Sequence, residues 1–146
     1  IKNAEIKSNS CNLIDLSKVN KISPLNYGWP ISSAGEHYKG RIEKNKKKYK
    51  KYPLYDSHEK YGFIEPLISF VPSIGISEIV KIGNDNYVIS SLMDKSLYFF
   101  NLNKDNQLQN LKRVEVGERI RDLAFKDDFL FLFLEDSASI GRIQIN

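Results

Sequence analysis

Short runs of apolar residues, interrupted at near-alternate positions by polar ones, fill the second half of the chain. "ISEIVKIG" (Ile76–Gly83) is followed by the turn signal "NDN" and then "YVISSLM" (Tyr87–Met93). "DKS" leads into "LYFFNLN" (Leu97–Asn103), and "KDNQ" into "LQNLKRVEVG" (Leu108–Gly117). The pattern restarts with "IRDLAFKD", "FLFLFLED" and "SIGRIQIN". Period-two patterning bounded by Asn, Asp, Gly and Ser predicts strands, and no segment here carries the 3.6-residue repeat of a helix. Runs arriving about every ten residues predict an all-β, antiparallel meander.

The grouping of the runs narrows the architecture. Four runs from Ile76 to Gly117 occupy about 42 residues, the size of one propeller blade of roughly 40–50 residues. A second unit, residues 118–146, holds three runs and lacks a fourth strand, which a propeller takes from elsewhere to close its ring. The fold class expected is therefore all-β, a partial β-propeller of four-stranded antiparallel blades, although a β-sandwich accounts for the spacing alone. Residues 1–75 form a less regular blade. "CNLIDLSKVNKIS" (Cys11–Ser23) reads as a strand or two, and "PLISFVPSIG" (Pro66–Gly75) as a short strand entering a constrained turn. Between them, "NYGWP" (Asn26–Pro30) reads as a corner: Gly28 frees the backbone, Pro30 fixes the exit, and Tyr27 and Trp29 supply packing surface.

Composition changes this picture little. Hydrophobic content of 41% and charged content of 27% are globular values. No run approaches the roughly 18 apolar residues of a membrane span. A single cysteine, Cys11, excludes an internal disulfide and a cysteine metal site. The net charge of +4 is local: "RIEKNKKKYKKY" (Arg41–Tyr52) carries one acid, Glu43, and the remainder is slightly acidic. The lysine run reads as a solvated loop, with an anionic surface its alternative use; no nucleic-acid partner is expected.

Candidate chemistry concentrates in "GERIRDLAF" (Gly117–Phe125). In a strand, Arg119 and Arg121 share a face with Leu123 and Phe125. Two guanidinium groups side by side suit a ligand with several carboxylates; local pairing with Glu118 and Asp122 is the structural alternative. His37 and His58 lie in polar sequence and read as surface residues. No Gly-rich phosphate loop, nucleophile elbow or zinc pattern is present.

In order and spacing, "NYGWPISSAGEHYKG", "IEPLISFVPSIGISEI", "VISSLMDKSLYFFNLN", "VGERIRDLAF" and "FLFLFLEDSASIGRIQI" resemble the glucose/sorbosone dehydrogenase family, the soluble aldose dehydrogenases dependent on pyrroloquinoline quinone (PQQ). The resemblance runs from about Val19 to the C-terminus. It implies a six-bladed β-propeller of which this chain is the C-terminal part, its N-terminus missing. It also implies a periplasmic or secreted location and an aldose substrate. Arg119 and Arg121 match the family's cofactor-facing pair, and Phe70 matches an aromatic residue beside cofactor and sugar. Relatives usually carry a cofactor-contacting lysine where this chain has Met93, with Lys95 two residues on. They also carry acidic residues for Ca²⁺ near Ser17 and Lys18, where none of the ligands is seen here. The catalytic histidine base belongs to an earlier blade, so no catalytic residue and no metal ligand are expected in this chain. The fragment is expected to be inactive alone. Two functions follow: part of an oxidoreductase passing hydride from an anomeric hydroxyl to PQQ, or a non-catalytic propeller acting as a binding module.

Overall fold

The computed structural model describes residues 12–14, 26–29, 31–34, 47 and 57–145. The chain forms two compact units, Ile1–Ser73 and Ile74–Asn146.

In the first unit, β1 (Asn12–Ile14) pairs antiparallel with β2 (Pro66–Ser69). A single 3₁₀ turn, Glu59–Tyr61, precedes β2 and is closed by Gly62 in the left-handed conformation. The "NYGWP" corner depends on its glycine. Gly28 has φ +82°, its N–H donates to the Asn26 side chain, and its carbonyl accepts from the N–H groups of Ile31 and Ser32. A Cβ at Gly28 would approach Phe63 Cδ2 to 2.7 Å, so both backbone angle and space require glycine. Ile64 N–H donates to the Asn26 carbonyl and ties the corner to the segment entering β2. Tyr27 is half-buried as expected, whereas Trp29 turns outward and is 43% exposed.

The second unit holds the seven runs as seven strands. β3 (Ile76–Lys81), β4 (Asn86–Ser91), β5 (Ser96–Leu102) and β6 (Leu108–Glu115) form a four-stranded antiparallel meander. β7 (Ile120–Lys126), β8 (Phe129–Leu134) and β9 (Ser139–Gln144) form a three-stranded one. The polar turn residues do what turns demand of them: Asn106, Asp127 and Asp128 all take positive φ, which Asn and Asp tolerate better than other side chains.

Burial follows the order of the strands. From Tyr87 to Ser91 every residue of β4 is buried, whereas β6 and β9 are almost wholly exposed. A strand covered on both faces is an inner strand, and an exposed one is an outer edge. Val88 and Leu97 of the first sheet join Ile120, Leu123, Leu130 and Leu132 of the second in one core. Each such side chain contributes about 1.5–3 kcal/mol on burial. Across the other face of the first sheet, Tyr87 stacks on Phe100 with ring centroids 5.4 Å apart.

Candidate functional site

One end of the second unit gathers most of its charged contacts. β6 climbs to this end, where the N–H groups of Val116 and Gly117 donate to the Lys95 carbonyl at 3.0 and 3.1 Å. Gly117 takes φ +87°, the chain reverses, and β7 descends with Arg119 and Arg121 on either side of its first residue, Ile120.

Strict alternation, which would place both arginines on the face of Leu123 and Phe125, does not hold. The register of β7 against β8 slips between Ile120, opposite Leu134, and Asp122, opposite Phe133. A bulge of this kind puts two residues against one and re-aims the side chains around it. Ile120 and Leu123 are both buried, while Arg121 and Asp122 are exposed. The arginines are thus removed from the core face, and they still converge.

Their meeting point is Glu135, just past β8. Arg119 Nε donates to Glu135 Oε2 at 2.8 Å, Arg121 Nη2 donates to Oε1 at 2.8 Å, and Arg121 Nε lies 2.8 Å from Oε2. The acids expected from sequence are engaged elsewhere: Glu118 accepts from Ser137 N–H, and Asp122 from the N–H of Leu123. The guanidinium of Arg121, then that of Arg119, holds the Glu135 carboxyl below its ordinary range. Beside them Lys95, in the left-handed conformation, places Nζ 2.9 Å from Asp136 Oδ2, and this ammonium lowers the Asp136 carboxyl. The cluster therefore sets three cations against two carboxylates. Its ion pairs are a third to a half exposed, and such pairs add little to stability. Arg119 Nη1 and Nη2 and Arg121 Nη1 take no part in these hydrogen bonds, which leaves donors for an anion.

Met93 stands at the same end, 71% exposed, its N–H on the Ile74 carbonyl and its side chain against Gly75. It brings neither charge nor donor. Phe70 follows β2 in the first unit and is half-buried.

His58 is not the surface residue its polar neighbours suggest. It is 1% exposed, its carbonyl accepts from Tyr61 and Phe63 N–H, and Nδ1 lies 3.5 Å from Glu65 Oε2. His37, Cys11, Ser17, Lys18 and the lysine run apart from Lys47 lie outside the described residues. Among the described residues no three His, Cys, Asp or Glu side chains are grouped to hold a metal ion, and no helix is long and apolar enough to cross a membrane. A cleft of about 400 Å³ opens at the opposite end of the two sheets, lined by Phe99, Asn101, Lys112 and Phe125 among others. No member of the arginine cluster lines it.

A family model described as Glucose / Sorbosone dehydrogenase matches residues 17–144. A solved structure, "Crystal structure of glucose dehydrogenase", is similar to this chain with a TM-score of 0.63 at 23% sequence identity. The likeness covers 84% of this chain and 35% of that one, so the chain spans about a third of its length. No curated protein matches the chain. With its all-β sheets of four and three antiparallel strands, the fold is part of a β-propeller.

Proposed function

Because the chain belongs to the glucose/sorbosone dehydrogenase family, we propose that it is part of a PQQ-dependent aldose dehydrogenase. Such an enzyme would oxidise the anomeric hydroxyl of an aldose to a lactone, with a base taking the hydroxyl proton. When bound, PQQ supplies the hydride acceptor. Arg119 and Arg121 would hold its carboxylates and offset its negative charge. The base and the Ca²⁺ ligands belong to parts of the protein other than the described residues. A periplasmic or secreted location goes with this reading.

The observation that carries the reading is the convergence of two guanidinium groups at one sheet end, with three of their four terminal amino groups outside the hydrogen bonds to Glu135. The residues fit a polycarboxylate at this point, and they fit it less well at Met93. The intact protein, supplied with PQQ and Ca²⁺, is expected to bind the quinone and reduce a dye with an aldose. Each charge-assisted hydrogen bond is worth about 1.5–3 kcal/mol, so Arg119→Ala and Arg121→Ala should each weaken PQQ binding roughly tenfold or more. Absence of binding at micromolar PQQ overturns the reading.

A second reading, a propeller without cofactor that acts as a binding module, is favoured by two observations. Met93 offers an exposed thioether where relatives present a cation, and Glu135 already occupies one edge of the arginine pair. A fold by itself does not carry its relatives' chemistry.

A further inference from the structure

We infer that Glu135 is the positioning residue of the arginine pair: it grips both guanidinium groups by one edge and leaves their other amino groups to act as one carboxylate-binding fork. The inference rests on the reading of this sheet end as the seat of a polycarboxylate.

A guanidinium is a rigid plane with five N–H donors. Where its Nε–H points fixes where the rest of the plane points. Glu135 takes Arg119 by Nε alone and Arg121 by the Nε/Nη2 edge, with all three nitrogens 2.8 Å from its oxygens. One carboxylate thus orients two planes at once and leaves the far amino groups outside its hydrogen bonds. Each arginine side chain carries rotamer entropy that a ligand would otherwise have to remove on binding.

Glu135 is itself anchored. Its N–H donates to the Arg119 carbonyl at 2.9 Å, so the backbones of acid and base are registered across the hairpin that their side chains close. Neighbouring Asp136 is held chiefly by Lys95, with Arg119 a lesser influence on it. The arginines lower the Glu135 carboxyl, so the clasp stays ionised at neutral pH.

Positioning and simple electrostatics predict opposite signs when Glu135 is removed. Loss of a negative charge beside an anionic ligand should strengthen binding, whereas loss of the clasp should weaken it. In the intact protein titrated with PQQ, Glu135→Ala is expected to raise Kd at least tenfold, with Glu135→Gln, which retains one acceptor oxygen, between it and the parent. Equal or tighter binding by Glu135→Ala overturns the inference and leaves the polycarboxylate reading standing. No PQQ binding by the parent protein overturns both. A second measurement needs no variant: in the ligand-free parent, the Nε–H groups of Arg119 and Arg121 should exchange with solvent several-fold more slowly by NMR than that of Arg142, which lies over the Phe129 ring. Exchange at the ordinary rate overturns the clasp.

Discussion

The Ser77 hydroxyl donates to the main-chain carbonyl of Ile120 and so joins the first strands of two sheets. The same oxygen lies 2.8 Å from Ser90 Oγ in β4. Ile120 is fully buried and stands between the two arginines. The bond therefore fixes the height at which β7 enters the core and, with it, where Arg119 and Arg121 emerge.

Ser77→Ala should expose the worth of that joint. It strands a carbonyl and the Ser90 hydroxyl in a largely buried place, at a cost of about 1–2 kcal/mol. The midpoint of urea unfolding should fall accordingly, and Ser77→Thr, which keeps the hydroxyl, should recover part of the loss. An unchanged midpoint in the alanine variant would mean that the two sheets are coupled by apolar packing alone.

Asp94 gives stability a dependence on acid. In the β4–β5 turn its carboxylate accepts from Arg113 Nε at 2.7 Å and from the Tyr98 hydroxyl at 2.6 Å. Arg113 is the first cause of a carboxyl lowered to about 2, ahead of Tyr98 and Ser96. A carboxyl lower in the folded than in the unfolded chain stabilises the fold above the unfolded value, near 4, and ceases to do so as pH falls towards 2. The side chain is 31% exposed, so solvent screening reduces the contribution to about 1 kcal/mol. Asp94→Asn should lower stability by that amount at pH 7 and flatten the decline between pH 4 and pH 2 in urea titrations at stepped pH. A decline as steep as the parent's would assign the acid sensitivity to other carboxylates.

The seven strands of the second unit were legible because their signals are local. Alternation sets each strand, and residues such as Asn106, Asp127 and Asp128 mark the reversals. The pairing of the arginines was not legible in the same way. Counting back from the Asp127–Asp128 turn sets Phe125 opposite Leu130 and would set Ile120 opposite Glu135, but the bulge moves Leu134 into that place. It does so because Ile120 and Leu123, three residues apart, both enter the core, and two buried aliphatic side chains outweigh one ladder position. Glu135 then falls beside Arg119, a partner that neither periodicity nor nearness in sequence indicates. His58 escaped for a related reason: its neighbours Ser57, Glu59 and Lys60 are polar, and its burial comes from the way the chain folds around the turn. Of the first unit's loops, the Gly28 corner was readable because one backbone angle determines it.

Position 93 separates the two functional readings. Met93 is 71% exposed at the arginine end of the sheets, with its backbone fixed by the Ile74 carbonyl, so a longer polar side chain fits there without disturbing the core. The resemblance to sugar dehydrogenases places a cofactor-contacting lysine at this point. If the arginine end binds PQQ, Met93→Lys adds a fourth cation beside a ligand with several carboxylates. A partly exposed pair of this kind is worth about 1 kcal/mol, so the quinone's Kd should fall about five-fold, and the gain should shrink as salt rises. Titration of parent and variant at two ionic strengths measures both effects. A propeller whose end serves as a scaffold would bind PQQ no better with lysine than with methionine, and equal affinities in the two proteins would remove this end of the sheets from the cofactor's path.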